Sequence, residues 1–261
     1  MTSIIKANTL FEIYDDLLPE DHQSWLLLDV DGTLIHPKDS VFRAPKELNP
    51  FAEVIDDFKK KVKKNGPEQT QLFQQFLSAF RLHRDVELVD PLWLEILKKY
   101  QESEKTVLAL TKMDTGSFGS IESVEEWRLT ELNDLGVSFY PNTPSDKAEI
   151  LIQEKHVNAA TLYQGALFTG GHSKSQTLDA LIKRRNTKPE KIRFVDDRLE
   201  QILDLQTYCK SQNILFKGFH FLQASNLPHS YCGQRAALQK QTFVEEGIWL
   251  SDEKADQKLK K

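Results

Sequence analysis

"WLLLDVDGTLIH", residues 25–36, runs four apolar side chains into two aspartates, Asp29 and Asp31, followed directly by Gly32-Thr33. A short apolar run that ends in acidic and turn-forming residues reads as a buried strand of a parallel sheet. Two like charges at the mouth of such a strand repel, and burying them is costly unless a cation stands between them. The stretch therefore predicts that other strand ends deliver oxygen ligands or a counter-charge to the same place.

Similar runs recur along the chain. "TVLALT" (106–111), "IRFVDD" (192–197) and "ILFKGFHF" (214–221) read as further buried strands, and "VSFY" (137–140) as a weaker one. Between them, "SVEEWRLTELNDLG" (123–136) sets Trp127, Leu132 and Leu135 near helical spacing, with Gly136 suited to a C-terminal cap. "SQTLDALIKRRN" (175–186) places Leu178, Leu181 and Ile182 on one face and gathers cations in its last turn. "LEQILDLQTYCKS" repeats the pattern after the 192–197 strand, and "ATLYQGALFTGG" reads as a hairpin turning at Gln164-Gly165. Strands alternating with helices indicate an α/β fold with a mostly parallel sheet.

One interval breaks this rhythm. About 70 residues separate the first strand from the second, far more than an ordinary connection. Leu72, Phe73, Phe76, Leu77 and Phe80 form one apolar helical stripe there, and Leu92 to Leu97 another; "KKKVKK" (59–64) and "NGPE" (65–68) suggest a solvated helix end and a turn. Residues 35–105 are expected to form a helical cap inserted after the first strand. Residues 1–34 and 106–250 are expected to form the core domain, and the charged tail 251–261 to fray.

The formal net charge of −5 argues against a protein built to grip nucleic acid, and no stretch approaches the roughly 20 apolar residues that span a bilayer. Cys209 and Cys232 form no metal or disulfide pattern. The N-terminus lacks the apolar core of a signal peptide, so a cytoplasmic location is the default expectation, to which specialised secretion is the alternative.

Ligands of an open parallel sheet bind at the carboxyl ends of its strands. There the chain offers Asp29, Asp31, Thr111, Asp196 and Asp197, while Lys174 opens the helix that leads into the 192–197 strand. Carboxylates with no supporting His or Cys pattern suit a hard cation such as Mg2+ better than zinc. Lys147 is a rival to Lys174, but one helix fits between Lys174 and the next strand. His172, His220, His36 and Arg43, and Arg81, His83 and Arg84 in the insertion, have both a substrate-facing and a purely structural reading.

Asp29-Val30-Asp31-Gly32-Thr33, then Thr111, then Lys174, then Asp196-Asp197, each in its strand context, resembles the four motifs of the haloacid dehalogenase superfamily. "LALT", "LGVSF", "GALFTGG", "FVDDR" and "FKGFHF" are similar to a bacterial branch of that superfamily known as a domain of unknown function, frequent in intracellular pathogens. The resemblance implies a Rossmannoid three-layer sandwich and a phosphatase chemistry. Asp29 would be the nucleophile and Asp31 the general acid and base. Thr111, Lys174 and Gly32 would hold the phosphoryl group. Mg2+ would be held by Asp29, the Asp31 carbonyl and Asp197, with Asp196 orienting Lys174 or exchanging roles with its neighbour. The expected activity is hydrolysis of a small phosphorylated metabolite, without a nucleic-acid or membrane partner. A phosphotransferase or phosphomutase uses the same residues, and a non-catalytic interaction protein, such as a secreted bacterial effector, is the third alternative.

Overall fold

The structure, a computed structural model, describes residues 3–44, 47–65, 67–141, 147–227 and 230–260. Gly66 of the expected turn, residues 142–146 and the chain's last residue lie outside these. In chain order the strands are β1 (Ser3–Ala7), β2 (Ser24–Leu28), β3 (Ile35–Pro37), β4 (Val86–Leu88), β5 (Val107–Thr111), β6 (Glu149–Ile152), β7 (Ala160–Tyr163), β8 (Ala166–Phe168), β9 (Lys191–Asp196) and β10 (Leu215–Phe221). The helices are α1 (Tyr14–Leu17), α2 (Ser40–Arg43), α3 (Pro50–Asn65), α4 (Pro67–His83), α5 (Leu92–Glu102), α6 (Val124–Asp134), α7 (Lys174–Arg185), α8 (Leu199–Ser211), α9 (Gln223–Asn226), α10 (Gly233–Glu246) and α11 (Asp252–Leu259).

The chain divides into two units. The first, Met1–His36 with Leu88–Gly116 and Ser123–Asn226, contains an eight-stranded sheet in the order β1-β10-β9-β2-β5-β8-β7-β6. Pairing is parallel from β1 through β8, and antiparallel between β8 and β7 and between β7 and β6. β2 and β5 are buried along their whole length, as strands covered on both faces must be. Alternate residues divide between the two faces. Trp25, Leu27, Leu108, Leu110, Ile192 and Phe194 join Leu178 and Leu181 of α7 and Ile202 and Leu205 of α8 in one core cluster. On the other face the Arg193 guanidinium donates to the Tyr100 hydroxyl of α5 at 2.7 Å, and Trp93 of α5 meets Phe221 edge-on at 5.9 Å. The result is a mixed α/β fold around a mostly parallel sheet.

The second unit, Pro37–Glu87 with Ser117–Glu122 and Leu227–Lys261, is helical with an aromatic core. Phe51 and Phe80 meet at 4.7 Å, Phe80 and Phe243 at 4.3 Å, and Phe42 stacks on Trp249 at 4.8 Å. Phe76 packs against this cluster, while Phe73 stacks on Phe58 at 5.8 Å.

Three expectations are corrected. "VSFY" is no strand: only Tyr140 bridges to Val107, because from Ala109 onward that edge of β5 is taken by β8. The 35–105 boundary is too wide, since α5 belongs to the sheet unit, where its Trp93, Ile96, Leu97 and Tyr100 are buried. The tail expected to fray is helix α11, and residues from Leu227 onward group with the insertion rather than with the core. Buried ties explain that change. Asp39 accepts from the Trp249 indole at 2.8 Å and from the Asp252 amide at 2.8 Å. Arg235, itself buried, pairs with Asp256 at 2.9 Å and with Asp252 at 3.2 Å. Strands β1 and β6 were not anticipated; both lie at sheet edges.

Candidate metal and catalytic site

The first unit brings the ends of its central strands together. β2 ends at Leu28, and the Asp29 amide still bonds to the Val195 carbonyl of β9 at 2.9 Å, so Asp29 prolongs the strand. The chain then turns tightly: the Val30 carbonyl accepts from the amides of Thr33, Leu34 and Ile35, and the Gly32 amide donates to the Ile35 carbonyl at 2.8 Å. Gly32 adopts φ +85°, a left-handed conformation open to glycine at little cost. A Cβ built at this position would lie 2.7 Å from Asp197 Oδ2 and 2.9 Å from its Cγ. The turn thus requires glycine, and a side chain here would also displace the Asp197 carboxylate pressed against it.

Lys174 is the first residue of α7, preceded by a complete capping box in which Ser173 and Gln176 satisfy each other's amides. A cation at a helix N-terminus opposes the helix dipole. Here the ammonium is buried and donates to Asp29 Oδ1 at 2.5 Å and to Asp196 Oδ2 at 2.6 Å, which offsets that penalty. Asp196 Oδ1 accepts from the Arg198 amide at 2.8 Å, so both of its oxygens are engaged. Asp197 differs: its Oδ1 is buried and has no hydrogen-bond partner. Its backbone carbonyl lies 3.1 Å from His220 Nε2, a contact that requires the Nε2–H tautomer. Ligand oxygens of Asp29, Asp196 and Asp197 lie within 4.8 Å of one another.

Burial pushes Asp29 up to about 7, against the pull of Lys174 and with Asp196 adding repulsion. Burial also pushes Asp197 up to about 6, and the neighbouring Asp29 charge contributes. Asp196 is raised by burial against the same ammonium. Burial alone would lower Lys174, but Asp29 and Asp196 together hold it above an ordinary lysine. The one buried ammonium serves Asp29 and Asp196 directly, and Asp197 feels it and Arg198 only through space. An all-oxygen donor set, three clustered carboxyls and one orphaned carboxylate oxygen together fit a hard divalent cation.

Thr111 is buried at the end of β5, the strand beside β2, and its carbonyl accepts from the Thr169 amide at 3.1 Å. Asp31 is half-exposed and is held by Arg128 of α6, whose Nη2 reaches both carboxylate oxygens at 2.9 and 3.2 Å. Lys147 is exposed, whereas Lys174 occupies the buried position between the aspartates. His172 is buried, but it lines a shallow cleft with Leu151, Gln176 and Asp179 rather than the carboxylate cluster. His36 is buried in β3. Arg43, Arg81, His83 and Arg84 belong to the second unit, where the Arg81 guanidinium lies 4.2 Å over the Phe118 ring. Arg128 was missed from the sequence and His220 was weighed as a structural residue; for Arg128 the signal was one cation among the acidic residues of "SVEEWRLTELNDLG", too weak to read alone.

The chain matches, over residues 6–256, the family described as protein of unknown function DUF2608. It is 27% identical to the uncharacterized protein RP296 of Rickettsia prowazekii, over 94% of this chain and 87% of that protein. A protein of Chlamydia pneumoniae is 21% identical, over 90% of this chain and 82% of its own length, and one of Chlamydia trachomatis is 22% identical, over 90% and 83%. Both carry the provisional name of outer membrane protein, where the N-terminus here led to an expectation of the cytoplasm. No helix among the described residues is long and apolar enough to cross a membrane. A solved structure, the haloacid dehalogenase-like hydrolase family protein SP0104 of Streptococcus pneumoniae, covers 75% of this chain and 92% of its own with 13% identity and a TM-score of 0.40, a likeness too slight to argue from. By the match along nearly its whole length, the chain belongs to the DUF2608 family of proteins of unknown function.

Proposed function

We propose that this protein is a magnesium-dependent phosphomonoester hydrolase of the haloacid dehalogenase type that works through an aspartyl-phosphate on a small phosphorylated metabolite. The observation that carries this reading is the cluster of Asp29, Asp196 and Asp197 around one buried ammonium, with an orphaned oxygen on Asp197. The order of the motifs in the sequence supports it independently.

Asp29, the Asp31 carbonyl and Asp197 would hold the cation, and Asp196 would orient Lys174. When bound, Mg2+ supplies the charge that lets an anionic nucleophile approach an anionic phosphoryl group. Lys174 restrains the Asp29 carboxylate and offers its positive charge to the phosphoryl oxygens, with Thr111, at the end of the strand next to β2, as a neutral donor. An Asp29 oxygen attacks phosphorus, the bond from phosphorus to the ester oxygen breaks, and Asp31 gives its proton to the departing alkoxide. Asp31, now a carboxylate, takes a proton from water as that water attacks the phosphoenzyme. Inorganic phosphate leaves and Asp29 is restored.

The test is release of inorganic phosphate from an aryl phosphate and from a panel of phosphometabolites, with magnesium and with a chelator. Wild type is expected to turn over only with the cation, and Asp29→Asn to lose at least about 1,000-fold, the scale on which loss of a nucleophile is felt. Turnover in the chelated protein, or an active Asp29→Asn variant, would overturn the reading.

A further inference from the structure

Arg128 is a fully buried arginine of the sheet unit that the proposed chemistry does not use. It stands one turn into α6, its side chain is entirely buried, and its guanidinium faces two carboxylates. Nη2 takes both oxygens of Asp31, at 2.9 and 3.2 Å, while Nη1 takes Glu131 Oε2 at 2.5 Å. Trp127 lies against it, with the ring centroid 4.9 Å from the guanidinium carbon. Asp31 is the opposite case, with 43% of its side chain exposed. It sits on the turn after β2, where a solvated carboxylate would ordinarily sample several rotamers.

A buried guanidinium fork with one arm anchored on its own helix and the other on a half-exposed aspartate fixes a direction. The Glu131 contact spans one helical turn, so it sets the plane of the fork from within α6. The second arm then restrains the Asp31 carboxylate relative to the sheet. Lysine has no such fork; it carries one donor centre and cannot hold both acids in a fixed plane.

We infer that Arg128 is a positioning residue, which holds the Asp31 carboxyl in the orientation from which it passes a proton to the leaving oxygen and later takes one from water. This rests on the phosphatase reading above and adds a residue that neither the sequence motifs nor the family description contains. Proton transfer needs the carboxyl within hydrogen-bond reach of the reacting oxygen, and misplacement by about 1 Å costs on the order of 100-fold. Arg128 thus acts through the Asp31 carboxylate and neither gives nor takes the transferred proton itself.

The experiment compares kcat on an alkyl phosphate, whose leaving oxygen needs a proton, with kcat on a nitrophenyl phosphate, whose leaving oxygen needs little. Arg128→Met is expected to lose on the order of 100-fold on the alkyl ester and under about 10-fold on the aryl ester, following Asp31→Asn, with Arg128→Lys between wild type and Arg128→Met. In an Asp31→Asn background, Arg128→Met is expected to add nearly nothing on the alkyl ester. Glu131→Gln removes the second charge but keeps a neutral acceptor for Nη1 and leaves the Asp31 arm intact, so the variant should keep most of its alkyl-ester turnover. Should Arg128→Met fail to fold, the Arg128→Met/Glu131→Gln pair, which leaves no uncompensated glutamate, carries the same comparison, and Arg128→Lys carries it if both fail. Magnesium affinity, read by calorimetry, is expected to remain within about 3-fold of wild type, as it would not after a general loss of structure. Equal losses on both esters, or additive losses with Asp31→Asn, would overturn the inference alone. A wild type without turnover on either ester would overturn the phosphatase reading and this inference with it.

Discussion

Gly32 shows how much of the site depends on a single missing atom. Its φ of +85° demands glycine, and a Cβ would lie 2.7 Å from Asp197 Oδ2, so any side chain here displaces that carboxylate. In Gly32→Ala the backbone strain is worth about 1–2 kcal/mol, and the Asp197 carboxylate must swing away from the methyl group. The expected outcome is a loss of about 10–100-fold in magnesium affinity, measured by calorimetry, with a much smaller change in the urea midpoint. A variant that binds magnesium like wild type would mean that Asp197 is not a ligand. The opening pair of aspartates is also resolved at this scale, and by two different cations. Asp29 faces Lys174 and Asp31 faces Arg128, so the repulsion between neighbours is relieved by counter-charges from α7 and α6.

At the scale of the element, helix α7 carries the ammonium into the cluster. Its first residue has to be rigid, because a lysine side chain left to itself samples many rotamers. The capping box of Ser173 and Gln176 and the bond from Ser175 Oγ to Asp204 at 2.8 Å hold that first turn. Ser173→Ala is expected to lower stability by about 1 kcal/mol, measured by urea unfolding, through loss of the cap to the Gln176 amide. Turnover of this variant is expected to fall by more than its population of unfolded chain explains, since Lys174 sits on the loosened turn. The β7–β8 hairpin shows element-scale legibility of another kind. Gln164-Gly165 was readable as a two-residue turn, and both residues have positive φ, 46° and 82°. What the alternation of residues did not reveal is that β8 also pairs in parallel with β5, which displaces residues 137–140 from the sheet.

At the scale of the whole molecule, the carboxylate cluster couples protons to stability. Folding raises Asp29 to about 7 and Asp197 to about 6, both above their unfolded values. Between the unfolded and folded values the native state therefore binds more protons than the unfolded chain, and stability from these groups falls as pH rises. Their contribution is most favourable at and below about pH 4 and is lost progressively up to about pH 7. In chelator, the thermal midpoint is expected to be lower at pH 8 than at pH 5.5. Magnesium is expected to raise it more at pH 8, where the ligands are charged, than at pH 5.5. Scanning calorimetry checks both, and a magnesium shift that does not depend on pH would remove these aspartates from the cation site.

The sequence by itself determined the α/β class, the central strands, the three helices that follow the site motifs, and the identity of Asp29, Lys174, Asp196 and Asp197 as residues to be gathered. These were legible because burial imposes a period on apolar residues, and because carboxylates at the ends of several apolar runs, followed by Gly-Thr in the first, are more than turn and cap residues require. Only the tertiary structure decided which partner each charge takes. Asp196 has both oxygens engaged while Asp197 keeps one in reserve, a distinction between two adjacent identical residues that no local pattern encodes. The pairing of Arg128 with Asp31 across 97 positions in the chain, and the grouping of α10 and α11 with the insertion, were likewise beyond local reading. Each is a long-range match of charge or aromatic surface, and such matches leave no periodic trace in the segments they join.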